Sequence, residues 1–432
     1  MNSRRIAVVG TGYVGLTAGA CLASLGHDVV CVDIDSARVA QLGSGTVTLL
    51  EEGLPELVAE GLAAGRLRFT DDLHEPFAGD PVDVVFLCLP TPMGPDGAAD
   101  LSAVTAVLGQ LRDEFPPGCV VAIKSTVPVG TSDLARDLIG RDDVFLVSNP
   151  EFLREGSAVE DFLRPDRVVA GSHSREAAQR VLDLYAGLGA VTRITTPAGA
   201  ELVKYASNCF LALKVSYVNV LAELSERFGA DVRDVVAAMG DDHRIGGSFL
   251  APGPGWGGSC FPKDTNALLS MARSAGVDFA LLRASLDTNR QVRARIVDQV
   301  RAAAGGTLRD VRIGLFGLTF KAGTDDVRDS PALAVAELLH AEGAILTAYD
   351  PTFPVLDAGL AARLTVTDSP SIAVKGASVL VVLTEWPQFR ELDWGRLAEL
   401  VESPNIVDTR NLLDPEVVRA AGFSWTGNGR SR

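Results

Sequence analysis

The glycine pattern Gly10-Thr11-Gly12-Tyr13-Val14-Gly15, set between an apolar run and a small-residue run, constrains this chain more than any other feature. Arg5 to Val9 reads as a buried strand, and Tyr13 to Leu25, small and apolar, reads as a buried helix. Glycines between the two permit a tight turn and close approach of backbone to a ligand. A second strand-like run spans Asp28 to Asp33, so that Asp33 falls about 18 residues after Gly15. Strand, glycine turn, helix, strand and terminal carboxylate together form a dinucleotide seat, with pyrophosphate at the helix N-terminus and a ribose hydroxyl on the acid. The charge of Asp33 repels a 2′-phosphate, so NAD is expected rather than NADP. The bland alternative is a glycine turn that only packs helix on strand. Arg4-Arg5 before Ile6-Ala7-Val8-Val9 imitates an export signal, but the glycines, Asp28 and Asp33 make a strand and turn the expected reading.

Short apolar runs continue at Val82 to Leu89, Val120 to Ser125, Val144 to Ser148 and Arg167 to Ala170. Helical patterns at Asp100 to Glu114 and Ser174 to Leu188 separate several of them. That alternation predicts a parallel, doubly wound sheet. Between about 197 and 300 no strand-like run occurs. Ala200 to Phe228 reads as one helix of roughly 40 Å, Gly246 to Gly258 is a Gly/Pro-rich break, and Leu268 to Ala303 resumes helical spacing. Alternation returns with strands at Val311 to Phe316, Ala344 to Asp350, Ala377 to Leu383 and Asn405 to Asp408, and a helix at Ala332 to Glu342. The expected fold is α/β: two doubly wound Rossmann-like domains joined by a long central helix and helical region. The expected boundaries are 1–196, 197–305 and 306–432.

Composition excludes several classes. Hydrophobic residues make up 47 % and charged residues 22 %, which rules out a disordered chain. Asp and Glu total 55 against 39 Lys and Arg, a formal charge of −16 that disfavours nucleic acid and anionic membrane as partners. Local basic groups must then hold any anionic substrate. No window of about 20 uninterrupted apolar residues is present. The six cysteines, at 21, 31, 88, 119, 209 and 260, have no CxxC spacing, so no metal site is expected, and the pattern suits a reducing, cytoplasmic setting.

Two further constellations carry chemistry. Cys260 stands in Gly257-Gly258-Ser259-Cys260-Phe261-Pro262-Lys263-Asp264, polar and glycine-rich, with a cation and a carboxylate beside it. Such surroundings suit a nucleophilic thiolate, although spacing alone favours an inert loop cysteine. Lys204 and Asn208 share one helix face at i and i+4, near Glu201. That face is either solvated or, given Ala200, Val203, Phe210 and Leu211, part of a site.

Taken together these residues resemble the UDP-glucose/GDP-mannose dehydrogenase family from end to end. The specific stretches are Leu89-Pro90-Thr91-Pro92, Ser125-Thr126-Val127-Pro128, Asn149 to Gly156, Lys204 with Asn208, Gly257 to Asp264, and Phe320 to Arg328. Phe261 to Thr265 and Arg244-Ile245-Gly246 look most like the members that oxidise UDP-glucose. Trp256 departs conservatively from the Phe or Tyr more usual there. The resemblance implies a four-electron oxidation of an alcohol to a carboxylate with two NAD. In it Cys260 would form a thiohemiacetal and then a thioester, Lys204 and Asn208 would stabilise an oxyanion, and Asp264 and Glu151 would serve as base. It places Gly10, Gly12, Tyr13, Val14, Gly15, Asp33, Arg38, Thr91, Thr126, Glu155, Lys263 and Arg328 on the cofactor side. Phe152, Leu153, Lys204, Asn208, Arg244, Phe249, Gly257, Lys321 and Arg410 fall on the nucleotide-sugar side. A homodimer or higher homo-oligomer is expected, because the apolar Ala200–Phe228 helix is a poor solvent face. The competing readings are a GDP-mannose-oxidising relative, a two-electron hydroxyacid dehydrogenase and a non-catalytic NAD sensor.

Overall fold

The computed structural model describes residues 3–94 and 97–430. Contacts divide the chain into two compact units. The first runs to Ser207 and adds Asn266–Gly276; the second comprises Asn208–Thr265 and the chain from Val277 onward.

In the first unit the strands are β1 (Arg5–Val9), β2 (Asp28–Val32), β3 (Leu67–Thr70), β4 (Val84–Leu87), β5 (Val120–Ile123), β6 (Phe145–Ser148), β7 (Arg167–Gly171) and β8 (Val191–Thr195). They form one sheet in the order β3-β2-β1-β4-β5-β6-β7-β8. All neighbours are parallel except β6 and β7, which meet antiparallel at Ser148 and Gly171. The order reverses between β1 and β4, where a doubly wound sheet opens its ligand crevice. Strand residues alternate between two cores. Ile6, Val8, Val84 and Phe86 face one layer and Ala7, Val9, Val85 and Leu87 the other, so the strands read as continuous apolar runs. The helix Tyr13–Ser24 is buried from Gly15 to Ala23. Its small residues are obligatory: a Cβ on Gly19 would come within 2.4 Å of Cys31 Sγ.

In the second unit β9 (Arg312–Phe316), β10 (Ile345–Tyr349), β11 (Leu364–Thr367), β12 (Val379–Val382), β13 (Asn405–Asp408) and β14 (Ser424–Gly427) form an all-parallel sheet. Its order is β11-β10-β9-β12-β13-β14, and it again carries a core on each face. The two predicted doubly wound sheets are therefore present. The long helix spans Pro197–Phe228, and the boundary between the units falls within it, after Ser207. The helical spacing expected from Leu268 to Ala303 is carried by two helices, Phe261–Ser274 and Ala280–Ala303. Gly276 lies between them at φ +71°, a backbone state that stops a helix. None of the described helices is long and apolar enough to cross a membrane.

Candidate active site

The dinucleotide cradle is built by the first βα turn. Gly10 has φ +96°, and a Cβ there would stand 2.5 Å from the Cys88 carbonyl oxygen; a Cβ on Gly15 would stand 1.8 Å from that of Gly10. Gly12 is the N-cap of the helix and meets nothing within 4 Å in its Cβ direction. No side chain caps this N-terminus and no acid lies in its first turn, which Tyr13 and Val14 open half-buried. Free amides beside open space fit a pyrophosphate. Asp33 follows β2, and its Oδ2 accepts from Thr11 N at 2.8 Å and Thr11 Oγ1 at 2.6 Å. Arg38 Nη1 stands 3.5 Å away. Burial acts to raise the Asp33 carboxyl, but the Thr11 hydroxyl and amide, the Asp35 amide and Arg38 outweigh it and hold it below the usual range. The acid is thus ionised where a ribose is expected, and the residues present fit NAD.

Around the cradle, Thr91 donates from Oγ1 to the Thr126 carbonyl at 2.8 Å and so joins the loops after β4 and β5. Tyr13 donates from its hydroxyl to buried Glu51, which also accepts from Gly156 N at 2.8 Å and Ala158 N at 2.6 Å. Glu155 lies close enough to contribute to the raised Tyr13 phenol, after burial and Glu51. Glu51 and Thr11 are structural supports that the sequence reading missed.

A buried ion pair dominates the rest of this unit. Lys204 Nζ lies 2.7 Å from Glu151 Oε1, and Glu151 Oε2 accepts from Leu153 N at 2.6 Å. Burial pushes the Glu151 carboxyl up, but Lys204 first, then the Leu153 amide and Lys124, hold it below its ordinary value. Two cations lie against Phe152, with Arg167 Cζ 3.8 Å and Lys204 Nζ 5.6 Å from its ring centre. Glu201, three residues before Lys204, accepts from Gly130 N, Ser132 N and Ser132 Oγ, each at 2.7 Å. It anchors the loop bearing Thr126 to the long helix.

The second unit holds the cysteine. Cys260 precedes the helix Phe261–Ser274, and its carbonyl accepts Asp264 N at 2.9 Å. Its thiol therefore sits at a helix N-terminus, where a thiolate is favoured. It is the one cysteine of the six that is not buried. Burial pushes the thiols of Cys21, Cys88, Cys119 and Cys209 up to about 12, and raises Cys31 further. Asp264 is buried; its Oδ2 accepts from Asn208 Nδ2 at 2.6 Å, and its Oδ1 meets Lys263 Nζ at 2.6 Å. Asn208 is thus tied to Asp264, while Lys204, one turn earlier on the same helix, is tied to Glu151.

Tight loops present the remaining candidates in this unit. A Cβ on Gly257 would fall 2.0 Å from the Asp329 carbonyl oxygen, one on Gly258 2.8 Å from the Phe320 ring, and one on Gly253 2.8 Å from Arg410 Nη1. Arg410 donates from Nε to Leu383 O at 2.9 Å and pairs with Glu385 at 3.1 Å. Lys321 Nζ lies 5.8 Å from the Phe320 ring centre. Phe249 holds φ +61°, a strained state for an aromatic residue, and packs 6.2 Å from Phe261. Trp256 is fixed by Ser216 Oγ at 2.9 Å and by Asn289. Arg244 and Arg328 are exposed and paired locally, with Asp242 and Asp326. Lys214 donates to the carbonyls of Ile245 and Gly246, which ties the Arg244 loop to the long helix.

Comparison with known proteins adds a family. The sequence matches the UDP-glucose/GDP-mannose dehydrogenase family's NAD binding domain over residues 4–189, its central domain over 198–291 and its UDP binding domain over 314–415. It is 44 % identical to the UDP-glucose 6-dehydrogenase of Rhizobium meliloti (strain 1021), covering 99 % of both chains. It is 42 % identical to that of Pseudomonas aeruginosa, over 99 % of this chain and 98 % of the relative. The structure resembles a UDP-glucose dehydrogenase of Pyrobaculum islandicum with a TM-score of 0.89 and 36 % identity, covering 100 % of this chain and 98 % of that one.

Proposed function

Because the chain belongs to the UDP-glucose/GDP-mannose dehydrogenase family, we propose that it oxidises the C6 alcohol of UDP-glucose to the carboxylate with two NAD. Cys260 carries the proposal: five thiols are buried and raised, and this one opens a helix. Bound at the glycine turn, NAD would accept the hydride of each oxidation. The Cys260 thiolate adds to the aldehyde carbon to give a thiohemiacetal, whose oxidation leaves a thioester. Water cleaves that thioester, releasing the carboxylate and returning the thiol. Lys204 and Asn208 supply donors to the developing oxyanion. Glu151, ionised by its cation partners, and Asp264 move the protons. On this reading residues 1–196 hold NAD, 197–305 form the helical region and 306–432 meet the nucleotide, with Arg410, Lys321 and Arg244 as the cations for the diphosphate.

The same reading makes the working protein a homodimer or larger. On the long helix Phe210 is 62 % exposed and Phe228 79 %, with Tyr217, Val220 and Leu224 exposed between them. A stripe of that kind marks an interface. The free cysteines fit a cytoplasmic setting. The decisive measurement is NADH formed per nucleotide sugar consumed. Two NADH per UDP-glucose, with GDP-mannose turned over far more slowly, is the expected result. One NADH per sugar, or a preference for GDP-mannose, overturns it.

A further inference from the structure

Lys124 is buried, 3 % exposed, at the end of β5. Its Nζ donates to Asn149 Oδ1 at 3.3 Å and Tyr185 OH at 3.1 Å, and the rings of Phe86, Phe162 and Tyr185 lie 5.6–5.8 Å away. Among the described residues no carboxylate pairs with it. A buried ammonium in that position is costly, and the proposed reaction gives it no task. Asn149, however, is the residue two before Glu151. Its amide donates to Ile123 O at 2.8 Å, its Nδ2 donates to Val169 O at 2.8 Å, and its Oδ1 also accepts from Tyr185 OH at 2.9 Å. Lys124 therefore grips the start of the segment whose third residue is the base.

We infer that Lys124 is a positioning residue: with Asn149 and Tyr185 it clamps the Asn149-Pro150-Glu151 segment and sets a second buried lysine behind it. This deepens the proposed function and rests on Glu151 acting there as an ionised base. The direction of the Glu151 carboxyl agrees, since Lys124 is among the charges that lower it against burial, after Lys204 and the Leu153 amide. Other titratable or charged groups nearby are the thiols of Cys21 and Cys88, the Tyr185 phenol and, against the Phe152 ring next to Glu151, the Arg167 guanidinium. The two thiols are raised by burial and stay neutral in the working range.

The test is an infrared titration of the free protein. The protonated carboxyl band of Glu151 is identified as the one missing from Glu151→Gln. Lys124→Met removes charge and clamp; Lys124→Gln removes the charge but keeps a donor for Asn149 and Tyr185. Both variants are expected to move the Glu151 band up by about one pH unit. They are also expected to raise the acid limb of kcat by the same amount, with KM for NAD and the nucleotide sugar within about twofold. Lys124→Gln retains the higher kcat of the two. An unmoved band in a folded Lys124→Gln protein overturns the inference. An acid limb that survives in Glu151→Gln overturns the role of Glu151 instead, while the band still reports on Lys124. If Lys124→Met does not fold, Tyr185→Phe, which removes the acceptor for Lys124 and the donor to Asn149 but no charge, serves as the clamp variant; it leaves the band in place and lowers kcat.

Discussion

Replacing Lys204 by methionine tests the buried pair from one side. The variant leaves Glu151 enclosed, with the Leu153 amide 2.6 Å away as a hydrogen-bond donor. Breaking a buried pair in this way costs about 3–5 kcal/mol if the carboxylate stays charged. Glu151 has an escape, which is to take up a proton. From its ordinary value of 4.5 that costs about 1.4 kcal/mol per pH unit, hence about 3.4 kcal/mol at pH 7 and about 1.4 kcal/mol at pH 5.5. In the parent chain the carboxyl lies below its ordinary value, so it adds stability above that value and loses it as pH falls through the folded one. In the variant it lies above, so the penalty grows as pH rises. The destabilisation should therefore be about 2 kcal/mol larger at pH 7 than at pH 5.5. The assay is guanidinium unfolding followed by far-ultraviolet circular dichroism, because all four tryptophans (256, 386, 394 and 425) belong to the second unit. Adding Glu151→Gln should abolish the pH dependence. A penalty equal at the two pH values would refute the account of Glu151 as a carboxylate held ionised by its lysine.

Asp33→Ala should weaken NAD by roughly 10- to 100-fold, the worth of charge-assisted hydrogen bonds, and narrow its advantage over NADP; titration with both cofactors checks this. Gly15→Ala drives a Cβ to 1.8 Å from the Gly10 carbonyl oxygen, so a loss of at least ~2 kcal/mol or of the fold is expected in thermal melts. Cys260→Ser should bind nucleotide sugar and NAD nearly as the parent does and lose roughly a thousandfold or more in kcat. In single turnover it should stall after about one NADH, which intact-protein mass and NADH yield both detect. A Phe210→Glu/Tyr217→Glu protein should sediment as a monomer where the parent does not.

The sequence located the inner strands well and the outer ones not at all. β3, β8, β11 and β14 went unread, and they are the four edges of the two sheets. An edge strand is covered less and paired on one side, so its residues alternate or turn polar, as in Leu67-Arg68-Phe69-Thr70 and the largely exposed Val191–Thr195. The continuous apolar run that betrays a central strand is missing there. The helix behind Cys260 was also hidden. Gly257, Gly258 and Pro262 read as loop, although proline is favoured in a first helical turn. Pairings were the least legible. Nothing in the spacing joins Glu151 to Lys204, or Asp264 to Asn208, 53 and 56 residues apart. Lys124 did leave a signal, as a charge inside an otherwise apolar strand run.

The two sheets also show why an identical local device need not bind the same ligand. After β1, Gly10 at φ +96° donates to Val32 O at 2.8 Å, and Thr11 donates to Asp33 beyond β2. After β9, Gly317 at φ +91° donates to Tyr349 O at 2.8 Å, and Leu318 N and Thr319 N donate to Asp350 beyond β10 at 2.7 and 3.2 Å. The turn, strand and acid recur, but the surroundings do not. The Asp33 side chain stays 9 % exposed, whereas Asp350 is 1 % exposed and also accepts from Trp386 Nε1 at 3.3 Å. Gly12 leaves its helix N-terminus open, whereas the helix Pro331–Ala341 is capped by the Ser330 hydroxyl, which accepts from Ala332 N at 3.2 Å, and begins with a proline that has no amide to offer. The second turn therefore lacks both the free acid and the free amides that a dinucleotide requires. Its carboxylate is spent on holding the loop after β9, the loop that leads into Phe320 and Lys321.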